Sequence, residues 1–505
     1  MFRAVASHFR NVKCRNAASI RSLSFSSTVV KSAKSSGLLG WLGVGSSKLP
    51  SLDIPLQGVD LPSFLPDSLE PGKTSVTKLS NGFNIASENS PRPTASIGLY
   101  VACGPIYESP SVFGVSHLLE KMAFKTTRNR SHLRIIREVE AIGGNVQASV
   151  SREQIVYTFD AVRSHAPLMV ELLIDTVRNP VFLDWEVDEQ IKMLKGEISE
   201  MSNNPIDSLM NAVHSTGFSG ALANPLVAPE SSLDRLNSTV LEEFVAEHFT
   251  APRMVLAASG VDHEELVSLA EPLMSDLPGQ TKTSYPKSVY TGGDYRHQSI
   301  SADSKTNFAL AFELPGGWLQ EKDAMTLTIL QVLLGGGGSF SSGGPGKGLH
   351  SRLYLRVVNE YLQIESFSAF NSIFNDTSIF GIVGTSESSF ASKAIDLAAT
   401  ELLEIGRPGA IEDTQLARAK QLTKSAILMN LESRMSASED IGRQVLIYEK
   451  RYPVEHFLKA IEKVTLKDIT KVMHTLLSSP LTMAANGNVI GVPSYDSVSS
   501  KFKSA

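Results

Sequence analysis

The sequence predicts an α+β protein built from two homologous domains, each a mostly antiparallel sheet with helices packed on it, joined by a linker. One observation is that short alternating apolar segments, typical of strands, are interspersed with longer amphipathic segments, typical of helices. A second is that the same order of these patterns occurs twice along the 505 residues. A third is composition: 42% of residues are apolar and 20% are charged, which supports large cores and excludes a wholly disordered chain.

The repeat rests on two pairs of segments. Residues 94–104 predict a strand that ends in a tight turn, and residues 306–316 have the same shape 212 positions later. In the second pair a helix pattern precedes a strand. The helix pattern begins at Thr239 and again 226 positions later at Thr465, and the strand at 254–260 recurs 227 positions later at 481–487. A repeat of this length indicates a duplicated domain, because solenoid repeats have periods of roughly 20–50 residues.

Several elements of the first domain can be predicted individually. Asn-Gly within Leu79–Phe83 predicts a hairpin with a type I′ turn, and Ser131 and Gly143 are expected to start and stop one helix. The other predicted elements are strands at 146–150 and 155–159 and helices at 133–142, 165–178 and 184–201. The domain boundaries follow from these elements and from Pro/Gly clusters: an N-terminal domain at 71–276, a linker at 277–297 and a C-terminal domain at 298–505.

The first 35 residues have the pattern of a mitochondrial transit peptide. Residues 1–52 contain eight Lys or Arg and no Asp or Glu, and apolar residues recur at three- to four-residue spacing. A disordered basic tail and a chloroplast leader are the alternatives. Residues 36–70 are rich in Gly, Ser and Pro and are expected to be a linker or N-terminal extension.

The remaining chain is acidic, with 39 basic and 52 acidic residues. That balance argues against a nucleic-acid-binding body and favours cationic partners. The two cysteines, Cys14 and Cys103, exclude a disulfide scaffold and a cysteine-rich zinc site, and they indicate a reducing compartment. No run of 18 apolar residues occurs, so we expect no transmembrane helix.

A metal motif in the first domain lacks one ligand. His117, Glu120 and Lys121 follow the H-x-x-E-H pattern of inverted zinc peptidases except at the last position. A lysine ammonium has no lone pair at neutral pH, and it brings positive charge to the place where a cation would bind. An isolated H-x-x-E sequence is also common on exposed helices, so the motif alone does not indicate chemistry.

With these residues the chain resembles the pitrilysin-type (M16) metallopeptidase family over about residues 70–503. In active members a glutamate about 76 positions after the second histidine completes the site, and Glu197 stands at that distance from Lys121. The resemblance implies that His117, Glu120, Lys121 and Glu197 are vestigial. The chain is therefore expected to have no catalytic residues and no metal. A peptidase with an altered ligand set is the rival hypothesis.

Residues 335–348 contain eight glycines in fourteen positions and one apolar side chain, Phe340. Such a backbone-rich segment between two anchored ends is suited to gripping an extended peptide without sequence preference. A nucleotide-binding P-loop would need G-x-x-x-x-G-K-[ST], but here Ser341 stands at the first glycine and Gly348 follows Lys347. A passive flexible linker is the other alternative.

The glycine segment resembles the glycine-rich loop of the processing-peptidase alpha-subunit branch of this family. The resemblance implies that presequences of imported precursors are bound by these residues: Gly335, Gly336, Gly337, Gly338, Ser339, Phe340, Gly343, Gly344, Gly346, Lys347 and Gly348. The acids Glu360, Glu365 and Asp376 follow the segment and are candidates for contacting cationic presequences, although each is by default an ordinary surface acid.

The resemblance also implies the partners. It implies a non-catalytic subunit paired with a processing-peptidase beta subunit that carries the intact site and its zinc, in the mitochondrial matrix or on the matrix face of the inner membrane. Other members are structural core subunits of the cytochrome bc1 complex (respiratory complex III). A purely structural role is therefore the alternative, and the resemblance implies that one protein can have both roles, as in plants.

Overall fold

The computed structural model describes residues 72–90, 92–202, 204–279, 287–299, 305–338 and 349–503. The predicted transit peptide, the predicted N-terminal extension, the middle of the predicted interdomain linker and residues 339–348 of the glycine segment lie outside this range. No helix in the described part of the chain is long and apolar enough to cross a membrane.

The first half contains a six-stranded sheet in the order β1-β2-β7-β3-β5-β4, in which only β2 and β7 pair in parallel. Its strands are β1 (Thr74–Lys78), β2 (Asn84–Glu88), β3 (Thr94–Val101), β4 (Asn145–Val150), β5 (Ile155–Val162) and β7 (Met254–Ser259), and a short strand, β6 (Phe218–Ser219), lies outside it. Its helices are α1 (Val115–Lys121), α2 (His132–Ala141), α3 (Ala166–Arg178), α4 (Asp184–Ser202), α5 (Pro205–Gly217), α6 (Glu230–Leu233), α7 (Ser238–His248) and α8 (His263–Met274).

The second half contains a six-stranded sheet in the order β11-β12-β13-β10-β14-β9, with β14 and β9 parallel. Its strands are β9 (Gly293–Gln298), β10 (Lys305–Pro315), β11 (Gly336–Gly338), β12 (Ile364–Ile373), β13 (Thr377–Glu387) and β14 (Thr482–Gly487), and β8 (Val289–Tyr290) pairs with β6. Its helices are α9 (Glu321–Leu334), α10 (Ala391–Ile405), α11 (Asp413–Leu431), α12 (Arg434–Tyr448), α13 (Val454–Lys463), α14 (Leu466–Ser478) and α15 (Tyr495–Lys503). The predicted α+β class is confirmed.

Each half covers one face of its sheet with its own helices and the other face with a helix from the opposite half. Helix α12 packs on the first sheet, where Ile441 and Val445 are buried against strand residues such as Val255. Helix α5 packs on the second sheet, where Leu209 and Val213 are buried against small strand residues. The exchange buries the second face of the central strands of each sheet, which holds the two halves together.

A tyrosine ring lies at the centre of the first of these contacts. Tyr100 is fully buried, and its hydroxyl donates to Ser438 Oγ (3.2 Å), which in turn donates to the Ala257 carbonyl (3.1 Å). A Cβ on Gly442 of α12 would lie 2.3 Å from the ring, and one on Gly98 would lie 2.4 Å from the hydroxyl oxygen. Both positions therefore require glycine if the ring is to fit between the halves.

The predicted hairpin forms, but its turn is not type I′. The amide of Gly82 donates to the Leu79 carbonyl, and the amide of Leu79 donates to the Phe83 carbonyl. Gly82 has φ +92°, whereas Asn81 does not have a positive φ. This is a three-residue loop, a type I turn closed by a glycine bulge. The side chain of Asn81 has another contact, since its side-chain amide donates to the Met274 carbonyl (2.7 Å).

Two further expectations need correction. Leu99 pairs with Leu256 in the first sheet and Leu310 with Met483 in the second, so β3 and β10 are offset by 211 residues and not by 212. A shift of one residue moves every side chain to the other face of the sheet. The predicted linker is also shorter than expected, because Gly293–Gln298 form strand β9.

Candidate functional site

The helix that carries the metal-like motif is fixed at its start by a buried carboxylate. Glu108 accepts hydrogen bonds from the amides of Gly114 (2.7 Å) and Ser116 (2.8 Å), which satisfies free amides in the first turn of α1. Burial raises the pKa of Glu108, and these amides oppose that shift. Gly114 has φ +93°, and a Cβ there would lie 2.4 Å from the Ala228 Cβ. Helix α1 therefore packs closely against the Ala228 backbone.

The backbone amide of Ala228 determines the tautomer of His117. The amide of Ala228 donates to Nδ1 of His117 (3.3 Å), so Nδ1 is an acceptor and the neutral ring carries its proton on Nε2. Burial, and then the nearby Lys121 ammonium, lower the pKa of His117 to about 4, while Glu197 opposes the shift. A histidine ligand normally donates one ring N–H to an acceptor and binds metal with the other nitrogen. His117 instead accepts a hydrogen bond at Nδ1, so the nitrogen that would bind metal carries the proton.

The other motif residues are also engaged. Glu120 accepts a hydrogen bond from the amide of Val150 at the end of β4 (2.9 Å). Burial raises the pKa of Glu120, and the Lys121 ammonium opposes that shift. The Nζ of Lys121 lies 2.6 Å from Oε2 of Glu197, so the lysine holds the carboxylate that the family pattern assigns to the metal. The sequence-predicted residues do meet in space, although 76 positions separate this pair.

This arrangement does not fit a zinc ion. Zinc in a peptidase requires three protein ligands with free lone pairs, and here one is an ammonium, one is paired with that ammonium, and one has its Nε2 protonated. No group of three or more His, Cys, Asp or Glu that could hold a metal ion occurs among the described residues. These residues, as they are arranged here, do not supply the ligand set that metal-assisted hydrolysis needs.

The start of the glycine segment is ordered secondary structure. Gly335 ends α9 with φ +56°, and Gly336–Gly338 form the edge strand β11, paired with residues 366–368. A Cβ on Gly336 would lie 2.0 Å from the Phe367 carbonyl oxygen, so the close pairing requires glycine there. The expected fourteen-residue loop is therefore shorter by these four residues. The remaining predicted binding residues, Ser339 to Gly348, lie outside the described range.

Sequence reasoning missed the residues that hold the two ends of this segment together. The amide of Gly336 donates to Ser351 Oγ (3.0 Å). The next residue, Arg352, is buried and contacts Glu401 (2.7 Å) and Glu404 (2.9 Å) on α10, and Arg356 contacts the same two acids. A one-turn π-helix, Tyr354–Val358, follows. The spacing of two arginines and two glutamates, each three or four residues apart, is the sequence signal that could have indicated this anchor.

The three candidate acids do not form one cluster. Glu365 lies next to the residue paired with Gly338, and its carboxylate contacts Lys305 (2.8 Å). Asp376 lies in the turn between β12 and β13, at the far end of a strand about 30 Å long. Glu360 is exposed and follows the π-helix. Of the three acids, Glu365 is the one that strand pairing places beside the glycine segment.

A family model described as insulinase (peptidase family M16) matches residues 84–230, and one described as peptidase M16 inactive domain matches residues 235–423. "Mitochondrial-processing peptidase subunit alpha" of Solanum tuberosum is 59% identical, with 100% of both chains covered. "Probable mitochondrial-processing peptidase subunit alpha-2, chloroplastic/mitochondrial" of Arabidopsis thaliana is 57% identical, with 95% of each chain covered. "Cytochrome b-c1 complex subunit 2, mitochondrial" of Homo sapiens is 31% identical over 85% of this chain and 92% of that protein.

Proposed function

The chain belongs to peptidase family M16, the insulinase family, and we propose that it acts there as a non-catalytic subunit that binds cationic presequences for cleavage by a zinc-bearing beta subunit. Its resemblance to processing-peptidase alpha subunits spans the whole chain. The protein is mitochondrial, in agreement with the names of its relatives. Its place within the organelle, in the matrix or on the matrix face of the inner membrane, is part of the proposal.

The observation that carries the proposal is the ion pair between Lys121 and Glu197. It supports a subunit without its own hydrolytic site, because the pair neutralises the carboxylate that would bind metal. The match to a family model described as an inactive M16 domain supports the same conclusion. A chain of this kind contributes binding energy, which positions a substrate at a partner's reactive centre.

Substrate binding is supported by charge and by the anchored glycine segment. The chain after residue 52 has thirteen more acidic than basic residues, which favours basic peptides. The hydrogen bond between Gly336 and Ser351 holds the two ends of the segment close to each other. The residues that flank 339–348 are therefore fixed on both sides, and we infer that Phe340 and Lys347 take part in binding.

The first test is metal analysis with a peptide cleavage assay on the isolated full chain. We expect less than one zinc per ten chains and no cleavage of a fluorogenic presequence peptide, whereas the reconstituted heterodimer should cleave it. Stoichiometric zinc with chelator-sensitive cleavage by the isolated chain would reject the proposal and support the rival hypothesis of an altered ligand set.

The second test separates substrate recognition from scaffolding. In the heterodimer, residues 339–348 are replaced by two glycines, which leaves β11 and Ser351 intact. A matched control keeps the length but replaces these residues with a glycine-serine segment that lacks Phe340 and Lys347. We expect the deletion to lower kcat/KM at least tenfold through KM, because a binding contact is lost. Unchanged kcat/KM in both variants would remove the segment from the mechanism.

A structural role in the cytochrome bc1 complex is the second candidate, favoured by the identity with the human core subunit. The protein could have this role in addition to presequence binding or alone. Co-purification with a cytochrome-bearing membrane complex, together with unchanged processing after the replacement above, would establish the structural role alone.

A further inference from the structure

A row of polar residues crosses the first sheet on the face that α12 packs against. Directly paired residues of neighbouring strands share a face, and each residue of this row is paired with the next. In sheet order the row is Thr74, Glu88, Ser259, Ser96, Asp160 and Asn145. The row lies on the face that packs against the opposite half, since Tyr100 and Val255 on that face contact Ile441.

At one end of the row a guanidinium from the opposite half neutralises the carboxylate. Arg451 is buried, and it contacts Glu88 and donates to Thr74 Oγ1 (2.9 Å). Its second nitrogen lies 3.4 Å from the buried carboxylate of Asp440. A carboxylate on this face is thus accompanied by a cation, as a buried charge requires.

Toward the other end, no cation in the described part of the chain forms an ion pair with the carboxylate of Asp160. Among the described residues, the buried Oδ1 of Asp160 has no hydrogen-bond partner. Burial raises the pKa of Asp160, and the hydroxyl of Ser96 opposes the shift. A cavity of about 490 Å³ adjoins the carboxylate, between the start of β4 and the start of α12.

In the second half, the residues equivalent to Ser259, Ser96 and Asp160 form hydrogen bonds with other residues of the chain. There the equivalent residues are Asn486, Asn307 and Thr385, by pairing across β14, β10 and β13. Thr385 donates to Asn307 (2.8 Å), and Asn486 donates to the Pro205 carbonyl at the start of α5 (3.1 Å). The counterpart of Asp160 is therefore uncharged and partnered, so the charge in the first half is a specific feature of that half.

A guanidinium, that of Arg434, lines the same cavity as Asp160. Arg434 donates to Ser259 Oγ (3.2 Å), but its buried Nε has no partner among the described residues. Burial, and then the charge of Arg92, lower the pKa of Arg434, and the charge of Glu432 opposes the shift. Arg92 in turn contacts Glu432 at the rim (3.0 Å). Arg434 and Asp160 line the same cavity, and the contact that Arg434 makes within the polar row is with Ser259.

We propose that this cavity binds the carboxyl-terminal end of a basic peptide, with a guanidinium or ammonium group at Asp160 and the terminal carboxylate at Arg434. The cavity volume falls within the roughly 300–1,000 Å³ of small-ligand sites. The site is distinct from the metal-like site, because β4 separates Asn145 at the cavity from Val150 at Glu120 by about 17 Å. If the proposed function holds, the ligand is a peptide released by cleavage; that identification rests on the proposed function, while the binding site does not.

The test is calorimetric titration of the full chain with three probe tripeptides. They are alanyl-alanyl-arginine, its carboxyamide, and alanyl-alanyl-norleucine. We expect the first to bind, and each of the other two to bind about 10- to 100-fold more weakly, the effect of one charge-assisted contact. Equal affinity for all three would overturn the proposal, as would the absence of binding by alanyl-alanyl-arginine. Neither result requires cleavage activity, so a failure here is distinct from a failure of the proposed function.

Two variants test which residue binds the basic side chain of the peptide and which binds its terminal carboxylate. Asp160→Asn should weaken the arginine peptide about tenfold or more and leave the norleucine peptide unchanged. Arg434→Gln should remove the preference for the free carboxylate over the amide. Asp188→Asn, an exposed acid on α4, is the matched control and should change neither affinity. Thermal unfolding of each variant checks that it folds. Retention of the arginine preference in folded Asp160→Asn would refute the assignment.

Discussion

Replacement of Gly442 by alanine tests the packing between the two halves. Gly442 lies in the interior of α12, where its Cα faces the fully buried ring of Tyr100. An added Cβ would lie 2.3 Å from the ring, more than 1 Å inside an ordinary contact. The ring cannot simply tilt away, because Gly98 leaves similarly little room at the hydroxyl.

The expected magnitude follows from two opposing effects. Alanine in place of glycine favours a helix interior by about 1 kcal/mol. Overpacking of a filled core costs about 1–3 kcal/mol, and we expect the upper part of this range because the ring is held from both sides. The net effect of Gly442→Ala is therefore a loss of about 1–2 kcal/mol in the free energy of unfolding. Gly196→Ala in α4, where an added Cβ meets no atom within 4 Å, should instead gain about 1 kcal/mol.

Equilibrium unfolding in urea, with circular dichroism and tryptophan fluorescence recorded together, measures both variants. The opposite signs are the discriminating result, because the substitution and the helical context are the same. A third protein, Tyr100→Leu, removes the ring, and in that background Gly442→Ala should no longer destabilise. If Gly442→Ala were as stabilising as Gly196→Ala, the close packing of Gly442 against the ring of Tyr100 would be refuted.

Three further outcomes are expected. Asp160→Asn should raise the free energy of unfolding at pH 7 to 8, and this gain should vanish near pH 4. The reason is that burial raises the pKa of Asp160 in the folded state. The wild-type protein therefore has its full stability below the unfolded-state pKa of the carboxyl and loses part of it as the pH rises through the folded-state pKa, a loss that asparagine avoids. A gain independent of pH in urea unfolding would contradict this. Lys121→Gln should change stability by no more than about 1 kcal/mol, because the ion pair is partly exposed. Under the proposed function the pair takes no part in cleavage, so heterodimer kcat/KM should change less than about twofold; a tenfold loss of processing would refute this. His117 should stay neutral down to about pH 5, since its pKa is about 4, and labelled-histidine NMR with His117→Gln for assignment would disprove this by showing protonation above pH 6.

Much of the fold could be predicted from the sequence because the relevant signals are local. The N-cap at Ser131 accepts from Arg134 as expected, and the alternation of apolar residues located β4 and β5. The substitution at Lys121 could be read directly, since one residue type decides whether a lone pair is present. These inferences need only neighbouring residues and the known chemistry of side chains.

What could not be predicted depends on contacts between distant segments. The amide that fixes the tautomer of His117 comes from Ala228, 111 positions away, and no pattern near either residue indicates it. The glycines at 336–338 form a strand only because Phe367 supplies a backbone edge, whereas glycine alone favours loops. The offset of 211 residues between the repeated strands is fixed by pairing with β7 and β14, which sequence similarity missed by one residue.

The reciprocal placement of α5 and α12 has a consequence for how such a molecule can change over time. After a duplication each copy would initially be free to diverge or to be lost. Once each had contributed a helix to the other's sheet, removal of either would leave a broad apolar surface in water, with Val255 or Ala309 uncovered. The catalytic residues of one copy could then be lost without penalty to folding, whereas the two halves themselves became inseparable.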